Sequence, residues 1–312
     1  MIKKFRKLLG ELRLSTARKG PYRFMTGDLR LVSDINVASR VFGTEYFRDM
    51  GEALPLPIHD FDRYLVVAPH QDDEAIGAGG LMHQLHDLGA KVDVLFLSDG
   101  RQTNLPDKSV SESIEIRFEE AKQALKTCGA DFHRVDVDNT TWEVDLDVLN
   151  RIDAIFSKLE PQVVLLPWLL DAPVKHRLSN HIMALSHFRT PWSASEIWSY
   201  QVHNTLYGNL YTDITEVMPR KLEMIKAYVS QLESYQHYDH LAEGMAAWNS
   251  RFLPKPVGSA KKRYAEMYFG LPTGEYFSML ERMYMYDTAA TYRNKMKLAE
   301  PTLALHHQLR SN

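Results

Sequence analysis

Along the first two thirds of the chain, short apolar runs alternate with longer stretches whose apolar residues recur at helical spacing. Runs at 64–68, 91–98, 132–137, 162–167 and 195–200, bounded by polar or turn residues, predict strands. The intervening segments 75–88, 111–127, 144–159 and 179–188 predict helices. Strands separated by helices of this length imply βαβ crossovers, and so an α/β, Rossmann-like, mostly parallel sheet with helices on both faces. Beyond 200, Asp213–Gln236 reads as a short strand and a long helix with Leu222, Ile225, Val229 and Leu232 on one face. Residues 278–300 read as a Met-rich helix, a composition of packing rather than cofactor binding.

The chemistry gathers where two of these strands end. Tyr64–Ala68 runs into Pro69-His70-Gln71-Asp72-Asp73-Glu74, and the next predicted helix follows at once. In an open α/β sheet, ligands bind at such strand-to-helix turns, at the carboxyl ends of the strands. His70 and Asp73 are close enough in a tight turn for one imidazole nitrogen and one carboxylate oxygen to meet on a divalent metal. Catalytic zinc typically takes three protein ligands and keeps a position for water, and Asp72 beside a ligand could take that water's proton. Acids at a helix start also cap it and favour its positive end, so a third ligand downstream is what separates the two readings. A second string provides one: Asp171-Ala172-Pro173-Val174-Lys175-His176-Arg177-Leu178-Ser179-Asn180-His181 follows the apolar run Val163–Trp168.

With both strings in view, the chain resembles the LmbE-like, or PIG-L, family of metal-dependent N-deacetylases. That family carries Pro-His-Pro-Asp-Asp-Glu after its first strand and His-x-Asp/Asn-His after a later one. Lesser pieces also match in order: Leu97-Ser98-Asp99-Gly100, Arg117-x-x-Glu120, Asp213-Ile214-Thr215, Lys221 and Ser230-Gln231, with Ala265-Glu266-Met267-Tyr268-Phe269 resembling a closing helix. The resemblance covers roughly residues 60 to 275. It implies the LmbE-like fold and a hydrolase removing acetyl from an N-acetylated amino sugar or its conjugate. It further implies Zn2+, or another divalent metal such as Fe2+, on His70, Asp73 and His181, with Asp72 as general base. Arg117 then holds substrate; its structural alternative is a buried pair with Glu120.

Two departures alter that expectation. Gln71 replaces a proline, which loosens the turn, and Leu178 occupies the column of the first histidine when Asn180-His181 is taken as the motif's end. His176, two residues earlier, is then the candidate to stand in as a catalytic donor near the oxyanion. A protein with this fold that binds metal without turnover, as an altered scaffold, is the competing class.

Composition adds limits. With 312 residues, 45% hydrophobic and a net charge of −3, the chain can bury a sizeable core and lacks the basic balance of a nucleic-acid binder. Its one cysteine, Cys128, allows no internal disulfide and fits a reducing, cytoplasmic setting. No apolar run reaches the ~20 residues of a membrane span. Residues 1–20 contain a short basic amphipathic helix that either packs on the domain or makes weak contact with an anionic membrane surface. Three regions are expected: a leader over 1–60, the deacetylase-like domain over 61–280 and a helical tail over 281–312. Gly77, Gly79 and Gly80 lie inside a helix rather than at its turn, which argues for close helix–sheet packing over a dinucleotide fingerprint. The pairs His83/His86 and His237/His240 read as surface residues, and Trp168, Trp192 and Trp198 as core or as apolar faces for a sugar.

Overall fold

A computed structural model describes residues 53–101, 105, 107–206, 208–232, 237–254 and 261–284. The basic segment 1–20, most of the leader and the tail from 285 onward lie outside the described residues. Among those that are described, no helix is long and apolar enough to cross a membrane.

The strands and helices, in chain order, are β1 (Leu54–Pro55), β2 (Arg63–Ala68), α1 (Asp73–Asp87), β3 (Lys91–Ser98), α2 (Val110–Lys126), β4 (Asp131–Val137), α3 (Leu146–Leu159) and β5 (Val163–Pro167). They continue with α4 (Val174–Arg189), β6 (Glu196–Tyr200), β7 (Leu210–Asp213), α5 (Met218–Lys226), α6 (Val229–Leu232), α7 (Tyr238–Asn249), β8 (Ala265–Pro272) and α8 (Thr273–Tyr284). They form one sheet in the order β1-β7-β8-β6-β5-β2-β3-β4. β6, β5, β2, β3 and β4 run parallel, whereas β8 is antiparallel to both of its neighbours. The mostly parallel α/β sheet expected from the periodicity is therefore what the chain forms.

The central strands β2, β3 and β5 are largely apolar because both of their faces are covered. Leu65 and Val67 of β2 point into a core with α3, α4 and α8, represented by Ile152, Phe156, Ile182 and Phe277. Tyr64, Val66 and Ala68 point the other way, onto Leu81, Leu85, Phe118 and Met224 of α1, α2 and α5. The helical glycines do allow close approach: a Cβ on Gly77 would come within 2.1 Å of the Tyr200 ring.

Three local expectations are corrected. Ala265–Pro272 is a strand, not a closing helix; it is inserted between β6 and β7, where aromatic and apolar residues are buried on both faces. The long helix after β7 is broken between Lys226 and Val229, and Val229 is exposed rather than on a buried face. α4 starts five residues earlier than expected, directly after Pro173, whose fixed φ suits a helix entrance. That last shift decides the site.

Candidate metal centre

β2 and β5 are neighbours, yet the chain leaves β2 toward β3 and β4 before returning to β5 on the other side. The reversal makes their carboxyl ends a topological switch point, where the diverging connections leave a crevice. Both chemical strings open there.

After β2, the chain turns through Pro69–Asp72 into α1. Asp72 adopts φ 132°, a left-handed backbone that a non-glycine residue enters only under constraint. The constraints are visible. Its N–H donates to Glu74 Oε2 at 3.1 Å, Arg117 donates to the Gln71 carbonyl, and the Arg117 guanidinium lies 3.6 Å from Asp72 Oδ1. Asp72 makes no side-chain capping bond to α1, so helix capping does not explain it. Nor is the turn loosened by Gln71. That side chain is fully buried and donates to the Ser98 carbonyl at 3.0 Å, against Gly100, where a Cβ would lie 2.4 Å from Gln71 Oε1.

Asp73 faces two histidines. Its Oδ2 lies 3.2 Å from His70 Nδ1 and 3.3 Å from His176 Nε2, and it also accepts the His70 backbone N–H at 2.9 Å. His70, Asp73 and His176 each offer one ligand atom within 4.8 Å of the others, a set that could hold one metal ion. Each histidine is fastened on its outer side: His176 Nδ1 to Asp171 Oδ2 at 2.8 Å, and His70 Nε2 to Asn139 Oδ1 at 3.1 Å. Acceptors behind the rings turn the remaining nitrogen lone pairs inward, as in metal-binding histidines generally.

The group that the structure brings together contains His176, where the motif alignment expected His181. His176 is the third residue of α4, at the crevice; His181 lies five residues further on and is not part of the group. At 1.5 Å and 100° per residue, that carries its Cα about 7.5 Å along the axis and about 140° around it. His176 is correspondingly a ligand candidate rather than a donor beside the metal. Leu178, taken to be the column of the missing histidine, packs into the apolar core. With His176 as the motif's end, Pro173 and Lys175 fill the earlier columns, and Pro173 lines the cavity.

The cavity has a volume of about 230 Å³ and is bounded by the ligand set, Asp72, Arg101, Arg117, Asn139, His203 and Tyr238, among others. Arg117 is buried and turns toward Asp72, not Glu120, while its Nε and Nη1 lack partners among the described residues. Glu120 instead accepts from Ser230 N and Oγ, both at 2.7 Å, and so anchors α6, whose Gln231 reaches the cavity. Lys221 is a structural residue, bonded to Glu266 at 2.6 Å and to the Ile76 carbonyl at 2.7 Å. None of Trp168, Trp192 and Trp198 lines the cavity; Trp168 and Trp198 are core residues.

The adjacent acids are driven apart. Burial pushes Asp72 up to about 8, against the pull of Arg117 and with added repulsion from Asp73 and Glu74. Burial acts on Asp73 too, but the His176 and His70 imidazoles outweigh it and hold that carboxyl below its ordinary range. A proton-exchanging acid beside an ionised, ligand-type acid is the division of roles that paired carboxylates adopt in hydrolytic sites.

Sequence reasoning missed Asn139, Arg101 and Tyr238. Asp138-Asn139-Thr140 is a turn-type cluster at the carboxyl end of β4, a position that marks a ligand-facing loop in such sheets. His203 was signalled by its place in the Asn- and Tyr-rich stretch Tyr200–Tyr211, which the family resemblance puts near the pocket.

The family comparison agrees with this geometry. Residues 65–187 match the PIG-L family, described as GlcNAc-PI de-N-acetylase. The matched segment begins in β2 and ends in α4, and so contains both turns that carry the candidate ligands. A diacetylchitobiose deacetylase of Thermococcus kodakarensis is 28% identical over 195 residues, 56% of this chain and 72% of that protein. A 4-oxalmesaconate hydratase of Pseudomonas putida is 24% identical over 202 residues, 57% of this chain and 77% of that one. In structure, the N,N'-diacetylchitobiose deacetylase from Pyrococcus horikoshii, complexed with its inhibitor MPG, matches with a TM-score of 0.60 and 21% identity. It covers 80% of this chain and 93% of that one, which establishes the shared fold.

Proposed function

We propose that this PIG-L-like segment is a metal-dependent N-deacetylase that hydrolyses the acetamide of an N-acetylated amino sugar or its conjugate. The observation that carries the reading is the His70–Asp73–His176 group with Asp72 beside it, both open to one cavity. The donor set fits a divalent metal: two imidazole nitrogens and one carboxylate oxygen, with both imidazoles fastened from behind. Zinc suits it, and so does Fe2+. Such a metal would polarise the amide carbonyl and make a bound water acidic near neutrality.

The chain's own groups supply the proton traffic. Asp72 receives the proton of the attacking water and passes one to the departing nitrogen, so that amide and water become acetate and amine. Its raised affinity for protons is compatible with both steps, and a cation beside Asp73 would draw it down toward neutrality. Arg117 holds Asp72 in place and lines the cavity, a position from which its guanidinium would hold a substrate oxygen. With Pro173 unable to donate, the charge developing on the carbonyl oxygen needs another partner. His203 lines the cavity with its ring centroid 5.3 Å from that of His176, and takes this role in our reading.

The test is metal analysis of the purified protein, followed by amine release from N,N'-diacetylchitobiose and N-acetylglucosamine conjugates, with and without a chelator. One metal per chain and chelator-sensitive amine release are expected. Bound metal with no amine released would leave a non-catalytic metal-binding protein. The similarity to the hydratase supports a second reading, in which the same base and metal direct water onto a carbon–carbon double bond. Loss of the absorbance of 4-oxalmesaconate without amine release would favour it.

A further inference from the structure

We infer that Asn139 is a positioning residue that fixes the ring of His70 in its metal-binding tautomer; the inference rests on the metal-centre reading above. Asn139 lies on the loop between β4 and α3, 69 residues from its partner. Its amide cannot reverse, because Nδ2 donates to the Arg101 carbonyl at 2.7 Å. The backbone is held as well, with Asn139 N donating to Asp99 Oδ1 at 3.2 Å. Arg101 spans Asp99 and Asp138 at 2.6 and 2.5 Å, and Asp138 Oδ1 in turn accepts from Thr140 N at 2.7 Å. The loop closes on Trp142, which is buried and sits at φ 53°.

The fixed oxygen, Asn139 Oδ1, faces three nitrogens: Trp142 Nε1 at 3.1 Å, Lys175 Nζ at 3.0 Å and His70 Nε2 at 3.1 Å. Indole and ammonium nitrogens only donate, and a carbonyl oxygen only accepts. The imidazole nitrogen facing that oxygen bonds to it only when it carries the ring hydrogen. His70 Nδ1 faces a second acceptor, Asp73 Oδ2 at 3.2 Å, and a cation held by Asp73 would take the Nδ1 lone pair and leave the hydrogen to Nε2 and Asn139. The bond to Asn139 then opposes rotation of the ring. The Trp142 ring, edge-on to His70 with centroids 6.0 Å apart, blocks the same rotation sterically.

The test uses the full chain stripped of metal. Zn2+ is titrated in competition with a chromophoric chelator, Co2+ binding is followed by its visible spectrum, and the His70 tautomer is read from ring 15N shifts with Zn2+ present. Wild type should show hydrogen on Nε2. Asn139→Leu should weaken Zn2+ binding by about 10–100-fold, the usual effect of removing such an outer partner, and should mix the tautomers. Asn139→Asp restores the acceptor and should bind at least as tightly as wild type. An unchanged affinity in Asn139→Leu would overturn the inference. Equal weakening in both variants would also do so, reducing Asn139 to a loop staple. Should Asn139→Leu fail to fold, the wild-type tautomer and the Asn139→Asp affinity decide alone, and hydrogen on Nδ1 refutes the inference. A wild type that binds no Zn2+ would overturn the metal reading and this inference with it, whereas unchanged affinity in Asn139→Leu overturns the inference alone.

Discussion

Asp171 holds His176 from behind: its Oδ2 lies 2.8 Å from Nδ1, leaving Nε2 3.3 Å from Asp73 Oδ2. Its other oxygen, Oδ1, accepts the backbone N–H groups of His203 at 3.2 Å and Asn204 at 2.8 Å. One fully buried carboxylate therefore aims the third ligand candidate and secures the loop that brings His203 to the cavity.

From this arrangement, His176→Ala should abolish stoichiometric metal binding, since three ligands leave none to spare. His181→Ala should retain it, measured by elemental analysis after gel filtration. Full occupancy in His176→Ala with loss in His181→Ala would restore the assignment that the motif alignment suggested.

Asp72→Asn should keep the metal and lose about 10²–10⁴ of the turnover, the range of a general acid–base contribution. The check is parallel metal content and amine release. Loss of metal equal to loss of rate would mean that Asp72 ligates.

His203→Ala should lower turnover by about 10²–10³, as removal of one donor to a developing oxyanion does, without changing metal content. His203→Gln, which keeps an N–H at similar reach, should recover part of the loss. Wild-type kinetics in His203→Ala would return that role to Arg117 or to solvent.

His83, expected at the surface, is instead fully buried in α1, and it provides a pH prediction away from the site. Burial, aided by the Arg220 charge, lowers this imidazole to about 4 from an ordinary 6.5. Between these values the unfolded chain binds a proton that the folded chain does not. Stability is thus lost as pH falls from about 6.5 toward 4, by at most about 1.4 kcal/mol per pH unit from this group. His83→Leu should flatten that part of the acid denaturation profile, measured by urea midpoints at several pH values. An unchanged slope would show that the group is not the cause.

The sequence by itself determined the parallel core of the sheet, the four helices around it and the strand-to-helix turn bearing His70, Asp72 and Asp73. These are local: strand and helix periods differ, and a turn brings residues three apart into one place. It could not settle which histidine of the second string belongs with them. His176 and His181 are both histidines after the same strand; what separates them is where α4 begins, and hence their height and angle on it. Nor could it place β8, because an apolar run becomes strand or helix according to the partners that satisfy its backbone, here β6 and β7. The roles of Asp171 and Asn139 were equally hidden, since each acts across 5 to 69 residues of chain through contacts that only the packed sheet creates.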